Sequence, residues 1–447
     1  MKILVSGGTG LLGWWIVREL TTRGYRVYAT YHTKEPVGLR DAVWTKLDLE
    51  DLDRVVHVLK EVRPDAVIHS AAYTDVDGCE LHRDRAYRVN YLATRALAKA
   101  CSAIDTYLIY ISTDYVFDGE KGMYREDDVP NPVNFYGLSK LLGEVAVESI
   151  LGDKSCIVRV SGLYGYSPTG KRNFGINALE KLLRGVEVRA FHDQYLSPTY
   201  VPFLAERIAK IIEKKVTGVL HLAGERISRY EFALLIAKTL GRDPSLVKPV
   251  SMSELKLPAK RPRDSSLDTS KARSLGLELP PQETCIKHFA ELYKRTPFLA
   301  EGIPYDFVQV NLSYSKPGVV RGLHYQLRPM EQGKLVTVLK GRIVDVAVDI
   351  RRGSPWYGKY VMVELSAENP RLLWIPPGFA HGFQALEDSL VLYLVTKEYS
   401  PQHERCIAWN DPEIAIPWPI KEGVILSEKD KKCPPLKQAE TNFNYLK

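Results

Sequence analysis

Apolar and polar residues alternate in two different ways along the chain, and the change comes near Thr296. Before that point, short apolar, β-branched runs are followed by longer segments whose apolar period is close to 3.6 residues. Apolar strands separated by amphipathic helices predict βαβ units around a doubly wound parallel sheet. The predicted strands are residues 2–6, 26–30, 66–70, 107–112 and 155–160, and the predicted helices are residues 12–23, 52–62, 86–101, 136–150 and 283–295.

After Thr296 short strands follow one another directly, separated by Gly, Pro and Asn turns. Successive strands without intervening helices are typical of an all-β sandwich or barrel. We therefore predict an α/β domain over residues 1–295 and an all-β domain over residues 296–447. The strands predicted in the second domain are residues 307–311, 334–339, 342–349, 358–365, 372–375 and 390–396.

Bulk composition limits the class of protein. A chain of 447 residues is too long for one core, and 45% hydrophobic with 26% charged residues excludes fibrous or disordered classes. The net charge of +7 is spread over interleaved signs, which indicates no nucleic-acid partner but suits an anionic substrate. No apolar run approaches membrane-spanning length and no signal segment precedes the first strand, so we expect a cytoplasmic protein with no membrane partner.

The six cysteines lie far apart, with no CxxC pair and no metal-ligand spacing. This distribution predicts free thiols, either buried or at the surface, in a reducing compartment. The cysteines are Cys79, Cys101, Cys156, Cys285, Cys406 and Cys433.

A glycine-rich turn follows the first predicted strand. Gly7, Gly10 and Gly13 fall in the segment SGGTGLLG, with Leu11 and Leu12 opening the next helix. Glycines permit a tight turn and let a diphosphate approach the backbone amides at the helix N-terminus. In this context the turn predicts a dinucleotide site in a Rossmann-type sheet.

The end of the second strand bears on the choice of coenzyme. Residues 30–34 contain no acidic side chain where a carboxylate would bind the ribose of NADH. Any of three basic residues can instead face a 2′-phosphate, so NADPH is predicted and NADH stays open. The three are His32, Lys34 and Arg23.

Two further segments are expected near the dinucleotide. Asp48, before Leu49, either lies near the adenine or caps the following helix. The segment after the strand at residues 66–70 is predicted to line the cofactor with Ala71, Ala72 and Tyr73.

Tyr136 and Lys140 carry the predicted chemistry, because a spacing of four residues places them on one helical face. A phenol is a poor acid at neutral pH, and we expect the lysine to lower the pKa of Tyr136. With Thr113 at the end of a strand, the set can protonate a carbonyl oxygen as a hydride reaches its carbon. A solvated helix face is the alternative for the tyrosine and lysine taken alone.

Residues 1–295 resemble the dTDP-4-dehydrorhamnose reductases of the extended short-chain dehydrogenase family. The resemblance lies in AAYTDVD at residues 71–77, STDYVFDG at 112–119, YGLSK at 136–140, DQ at 193–194 with SPT at 197–199, and RPR at 261–263. It implies that Thr113, Tyr136 and Lys140 are catalytic. It also implies that the sugar nucleotide contacts Val76, Tyr115, Asn173 and Arg261. Gly162 stands where the family often has tryptophan.

Polar residues alternate along the strands of the second domain, in RGLHYQ at 321–326, QGKLV at 332–336, VAVDIR at 346–351 and IPPGFAHGF at 375–383. In a jelly roll such side chains point into the barrel mouth. Two histidines there raise the question of a metal, but no His-x-His pair with a downstream Glu is present, so none is expected.

Residues 296–447 resemble the dTDP-4-dehydrorhamnose 3,5-epimerases, a cupin family usually active without metal. The resemblance runs from FVQVN at residues 307–311 to LSEKD at 426–430. It implies that His324, oriented by Asp430, removes the protons alpha to a 4-keto group, and that Tyr393 returns one from the opposite face. Arg321 and Lys334 are candidates for the charge over the enolate oxygen. Further substrate contacts are expected at Gln309, Asn311 and His381.

The epimerase family normally begins with about two more strands, whereas here residues 283–295 already match the last reductase helix. We therefore predict an N-terminally truncated jelly roll whose open edge is covered by a second chain, giving a homodimer through the cupin domain.

The pairing of domains predicts one bifunctional enzyme of dTDP-L-rhamnose biosynthesis, which epimerises a dTDP-linked 4-keto-6-deoxy sugar and reduces it with NADPH. An alternative is an active reductase whose cupin domain only dimerises or binds substrate. A third hypothesis is a regulatory subunit, since the reductase-like partners of methionine adenosyltransferase resemble this fold.

Overall fold

The computed structural model describes residues 1–39, 41–294, 303 and 305–445. The chain divides into two compact units, Met1–Gly302 and Ile303–Lys447. The boundary expected between residues 295 and 296 lies outside the described residues. Each unit is considered by itself.

The first unit is built on a seven-stranded sheet in which every pairing is parallel. Its strand order is β7-β6-β5-β4-β1-β2-β3, which confirms the predicted doubly wound α/β fold. The order reverses between β1 and β4, and a ligand crevice is expected at the carboxyl ends of these strands. The strands are β1 (Lys2–Ser6), β2 (Arg26–Tyr31), β3 (Val43–Lys46), β4 (Ala66–His69), β5 (Tyr107–Thr113), β6 (Ser155–Val160) and β7 (Gly218–His221).

Helices cover both faces of this sheet, which is why its central strands are apolar throughout. Trp14 and Ile208 belong to the core on one face, and Val55, Leu97 and Val147 to the core on the other. The helices are α1 (Leu11–Thr22), α2 (Leu52–Val62), α3 (Val76–Leu81), α4 (Arg83–Ala86), α5 (Ala93–Ala103), α6 (Phe135–Leu151), α7 (Phe174–Leu183), α8 (Val201–Lys214), α9 (Arg229–Thr239), α10 (Ser270–Ser274) and α11 (Gln282–Lys294).

One predicted helix is divided. Residues 86–101 were expected to form a single helix, but a π-helical segment, Tyr87–Leu92, separates α4 from α5. Asn90 lies in that segment and its side chain bonds the backbone of Tyr73, so a local polar contact accompanies the wider turn.

A smaller layer beyond the sheet holds α7, α9 and α11 around Tyr164 and Phe289. Short strand pairs join it to the sheet. They are Leu163–Tyr164 with Thr199–Tyr200, Tyr195–Leu196 with Ile227–Ser228, and Val188–Phe191 with Val247–Val250.

The second unit consists of two antiparallel sheets, as predicted for the jelly roll. Their orders are β8-β15-β10-β13 and β12-β11-β14-β9-β16. The strands are β8 (Gln309–Ser315), β9 (Val320–Gln326), β10 (Lys334–Lys340), β11 (Arg342–Asp349), β12 (Tyr360–Ser366), β13 (Leu373–Ile375), β14 (Phe379–Ala385), β15 (Ser389–Val395) and β16 (Glu404–Cys406).

The cysteine prediction is wrong for one pair. Cys406 and Cys433 form a disulfide across 27 residues of sequence, while the other four cysteines are buried thiols. Sequence spacing conceals this pair because β16 and a 3₁₀ turn, Asp430–Lys432, meet only in the folded domain. Within the described part of the chain, no helix combines the length and apolar character needed to cross a membrane.

Candidate functional sites

The glycine turn has the geometry that only glycine accepts. Gly7 has φ +72°, and an added Cβ would lie 2.8 Å from Ala71 Cα. A Cβ on Gly13 would lie 2.1 Å from the Gly7 carbonyl oxygen, so α1 passes very close to the turn. Gly10 precedes α1 and offers no side-chain cap, and the first turn of α1 carries no acidic residue. The backbone amides of the first turn of α1, which receive no side-chain cap, fit the diphosphate of a dinucleotide.

A cavity of about 690 Å³ opens at this turn and continues to the ends of β5 and α6. It brings together most of the residues predicted from the sequence for the cofactor, the chemistry and the sugar. These are Gly7, Gly10, Leu11, Leu12, Gly13, His32, Ala71, Ala72, Val76, Thr113, Tyr115, Tyr136, Lys140 and Asn173.

A second cavity of about 230 Å³ adjoins the first at Gly7 and Ala71. Asp48, Leu49 and Tyr73 line it. Its position beyond the glycine turn suits the adenosine half of a dinucleotide whose nicotinamide lies in the larger cavity.

Thr113 ends β5, and α6 presents Tyr136 and Lys140 to the same cavity. Asn134 caps the N-terminus of α6, because its side-chain oxygen accepts a hydrogen bond from the Gly137 amide. This bond fixes the first turn of α6, which carries Tyr136. The Tyr136 ring lies edge-on to Tyr115, with centroids 5.8 Å apart.

The expected effect of the lysine is not found. Burial raises the pKa of Tyr136, and the opposing contribution comes from its hydrogen bond with Thr113. Lys140 Nζ instead donates to the Ile111 carbonyl at 2.7 Å. Burial lowers the pKa of Lys140 to about 7, against an opposing contribution from Glu144. The expectation that Lys140 lowers the pKa of Tyr136 is therefore wrong for this arrangement.

The structure corrects the prediction for Arg23 and decides between the two alternatives for Asp48. Arg23 follows the far end of α1, where it pairs with Glu19 and Glu213 at 2.7 and 2.6 Å, so it does not reach the cofactor cavity. Asp48 does not cap α2, because Asp51 does so by accepting the amide of Arg54.

Arg261 does not line either cavity. Its guanidinium donates to Asp77 at 2.8 Å and to the Ala259 carbonyl at 2.9 Å. Gly162 does line the larger cavity, with φ +48°, and a Cβ there would lie 2.4 Å from Leu196 Cδ1.

Sequence reasoning missed two residues of this site. Arg229 lines the cavity and donates to Gln194 at 2.5 Å. The buried Asp114 also lines it and accepts hydroxyl hydrogen bonds from Thr113, Ser161 and Ser265. Neither has a spacing that marks it, because Gln194, Ser161 and Ser265 come from distant segments.

In the second unit, His324 and Asp430 form a close pair. His324 Nε2 lies 2.6 Å from Asp430 Oδ1, and the Ser427 hydroxyl donates to Asp430 Oδ2 at 2.8 Å. Burial opposes ionisation of Asp430, but the hydrogen bonds from His324 and Ser427 outweigh it, so its pKa lies below the ordinary value. The carboxylate can therefore hold the Nε2–H tautomer and leave Nδ1 as the basic nitrogen.

Lys334 and Tyr393 lie in the same sheet of the barrel, on β10 and β15. Burial lowers the pKa of Lys334 to about 8, although Glu404 opposes the shift. Its Nζ is 3.5 Å from the carbonyl oxygen of His324. Burial raises the pKa of Tyr393, while the charge of Arg321 acts in the opposite direction.

His381 is in register with His324 on the neighbouring strand, and its Nε2 donates to Asp345 Oδ1 at 2.7 Å. Burial lowers the pKa of His381, with Asp345 opposing. The second oxygen of Asp345 is buried and has no hydrogen-bond partner in the described structure. The pair therefore lies inside the barrel, beside the His324 strand.

The remaining predicted contacts lie on or beside β8. The Gln309 side-chain amide donates to Asn311 at 2.8 Å, and Asn311 is in register with Tyr393. Arg321 Nε donates to Ser315 at 3.1 Å. No group of three or more His, Cys, Asp or Glu suited to a metal ion occurs among the residues that the structure describes.

Comparison with known proteins assigns each unit. Residues 1–295 match the family described as RmlD substrate binding domain, and residues 287–438 match dTDP-4-dehydrorhamnose 3,5-epimerase. A probable low-salt glycan biosynthesis reductase of Haloferax volcanii, Agl14, is 38% identical over 288 residues, covering 63% of this chain and 95% of that protein. The dTDP-4-dehydrorhamnose 3,5-epimerase of Pseudomonas aeruginosa is 53% identical over 146 residues, covering 32% of this chain and 80% of that protein.

Among solved structures, a dTDP-4-dehydrorhamnose reductase from Bacillus anthracis, crystallised in complex with NADP, superposes with a TM-score of 0.58. It is 33% identical and covers 64% of this chain and 98% of that chain.

Proposed function

The chain belongs to the RmlD family and joins this reductase domain to a 3,5-epimerase domain of the dTDP-rhamnose pathway, and from this premise we propose that both sites act in sequence on one sugar nucleotide. The cupin site inverts C3 and C5 of dTDP-4-keto-6-deoxyglucose. The first site then reduces the 4-keto group with NADPH and yields dTDP-L-rhamnose. The observation that carries the proposal is that one chain holds both sets of residues, Thr113 with Tyr136 and Lys140, and His324 with Asp430.

Reduction requires a proton at the carbonyl oxygen. NADPH, when bound along the glycine turn, supplies the hydride. Because burial raises the pKa of Tyr136, its phenol stays protonated at neutral pH and can donate that proton. The Thr113 hydroxyl positions the phenol, and Lys140, one helical turn away, lines the same cavity with its Nζ bonded to the Ile111 carbonyl.

Epimerisation requires a base, an acid and charge stabilisation. His324 Nδ1 takes the proton alpha to the carbonyl, and Asp430 stabilises the imidazolium that forms. The Lys334 ammonium stabilises the enolate oxygen. Tyr393 returns a proton to the opposite face of the sugar.

Deuterium incorporation in a reductase-blocked protein tests this function. Tyr136→Phe removes the acid of the first site, so in D₂O any exchange at C3 and C5 reports the cupin alone. We expect wash-in at both carbons and no NADPH oxidation, while the exposed-residue control Tyr87→Phe retains both activities.

Absence of wash-in would favour the alternative in which the cupin is a non-catalytic module. His324→Gln should abolish wash-in and spare reduction of dTDP-4-keto-L-rhamnose, whereas His57→Gln, on the exposed side of α2, should change neither. Failure of the unmodified protein to oxidise NADPH with any 4-keto sugar nucleotide would favour a regulatory subunit.

We propose NADPH over NADH because none of residues 32–34, directly after β2, is acidic and because His32 and Lys34 line the cavity. The comparison of kcat/KM for the two coenzymes tests this preference. Exchange of Lys34 for Glu should lower kcat/KM for NADPH and leave the value for NADH nearly unchanged.

A homodimer through the cupin domain is proposed from the edge strand β8, which pairs only with β15 among the described strands. Val310, Leu312 and Tyr314 project from β8 and Val308 directly precedes it, with exposed fractions of 52–64%. A row of exposed apolar side chains on an unpaired edge favours association. The molar mass by light scattering should be that of a dimer, and Leu312→Glu should give the monomer.

We further propose a cytoplasmic location, where nucleotide-activated sugars are made. The Cys406–Cys433 disulfide does not support it, because cytosolic disulfides are rare outside hyperthermophiles.

A further inference from the structure

The disulfide links the two segments that carry the His324–Asp430 pair. Cys406 lies on β16, directly opposite His324 in the register between β16 and β9. Cys433 immediately follows the 3₁₀ turn Asp430–Lys432. The covalent bond therefore joins the strand beside the histidine to the turn that presents the carboxylate.

Regular structure does little to hold that turn. Between β16 and Asp430 the chain forms no helix or strand beyond an isolated bridge at Ile425. The Ile425 backbone bonds Val320 and Gly318, and the Ala408 amide donates to the Pro434 carbonyl at 2.9 Å. These contacts fix the course of the segment at its two ends. Within the turn the Lys431 amide donates to the Ser427 carbonyl, Lys429 pairs with Glu404 on β16, and the disulfide adds a covalent link.

We propose that the Cys406–Cys433 disulfide is a positioning element of the epimerase site, which holds Asp430 in hydrogen-bond contact with His324. The inference rests on the proposed epimerase function for its catalytic readout. The two cysteines, 27 residues apart in the sequence, take no part in a chemical step.

The requirement is geometric. Asp430 orients His324 only while their atoms stay near the observed 2.6 Å. Displacement of a catalytic group by about 1 Å can cost a hundredfold in rate. If the turn without the disulfide keeps Asp430 in contact with His324 for about a tenth of the time, the epimerase rate falls about tenfold.

The Cys406–Cys433 disulfide can be broken in two independent ways. A trialkylphosphine reduces the disulfide to two thiols as the phosphine becomes its oxide with oxygen from water, and the other four cysteines are already thiols. The double variant Cys406→Ser/Cys433→Ser removes the bond permanently, and the phosphine should have no effect on it. NADPH oxidation by the same protein with dTDP-4-keto-L-rhamnose reports whether the chain remains folded and active at its other site.

The rate of deuterium wash-in is then measured with and without the disulfide, in proteins carrying Asp430 or the substitution Asp430→Asn. We expect loss of the disulfide to slow wash-in about tenfold when Asp430 is present and less than twofold in the Asp430→Asn background. A role in general stability alone would give equal losses in both backgrounds, and that result would overturn the proposal.

A second readout does not depend on epimerase activity. In protein labelled with ¹⁵N-histidine, the Nε2 and Nδ1 resonances of His324, assigned with His324→Gln, report its tautomer. We expect one Nε2–H tautomer in the oxidised protein and a mixture after reduction. Unchanged resonances would overturn the proposal. Absence of wash-in by the oxidised protein would refute the epimerase function, while the resonances would still decide the role of the disulfide.

Discussion

The buried lysine of the barrel gives a quantitative pH prediction. Burial lowers the pKa of Lys334 to about 8, whereas an exposed lysine titrates near 10.4. The ammonium is the charged form, so raising the pH through its pKa removes the charge proposed to stabilise the enolate. The charged fraction is about 90% at pH 7, about 10% at pH 9 and about 1% at pH 10. Above pH 8 the epimerase rate should therefore fall about tenfold per pH unit.

The assay follows deuterium wash-in at C3 and C5 by NMR in Tyr136→Phe protein between pH 6.5 and 10. His324→Gln protein gives the background of base-catalysed exchange at each pH. Lys334→Arg retains a cation across this range, so its descending limb should disappear, while Lys334→Met should be slow at every pH. A rate that stays level from pH 7 to 9.5 in Tyr136→Phe protein with Lys334 intact would refute the assignment of Lys334.

Two further predictions concern the reductase unit. Gly7→Ala should weaken NADPH binding by calorimetry and cost about 1–3 kcal/mol of stability, because its Cβ meets Ala71 at positive φ. Gly24→Ala is also strained, at φ +80°, but its Cβ meets nothing within 4 Å, so NADPH affinity should stay intact, and an equal loss of affinity in both variants would contradict this explanation. Arg159→Met should lower the free energy of unfolding by about 3–5 kcal/mol in chemical denaturation, because it leaves the Glu144 carboxylate buried without its partner at 2.7 Å. The double variant that also replaces Glu144 by Met should recover most of the loss.

Hydrophobic periodicity was sufficient for the architecture. Five strands of the parallel sheet and the helices α1, α2, α6 and α11 lie within a few residues of their predicted limits, because burial on both faces leaves a plain apolar signature. The helices α7, α8 and α9 were not predicted. Periodicity missed Val43–Lys46 and Gly218–His221, the two edge strands, whose exposed positions dilute the pattern. The apolar pattern did not delimit Val320–Gln326 and Phe379–Ala385, which were expected as strands only from their alternating polar residues.

Motifs located the chemistry better than they described its electrostatics. The glycine turn and the Tyr136–Lys140 spacing predicted residues that line one cavity. The ammonium was expected to act on Tyr136, but the fold directs it to a backbone carbonyl. Burial and hydrogen-bond direction decide such details, and neither can be obtained from spacing.

Contacts between distant segments were beyond sequence reasoning. Arg261 was expected at the sugar but pairs with Asp77, which precedes it by 184 residues. The disulfide joins cysteines separated by 27 residues with no motif around them. In both cases the partner is set by which distant segments lie together in the folded domain.

Product analysis in D₂O tests the central claim most directly. The unmodified protein is mixed with dTDP-4-keto-6-deoxyglucose and NADPH, and the sugar is identified by NMR. We expect dTDP-L-rhamnose with deuterium at both C3 and C5. A 6-deoxyhexose that keeps its original configuration and its protons at these carbons, formed as NADPH is consumed, would contradict it.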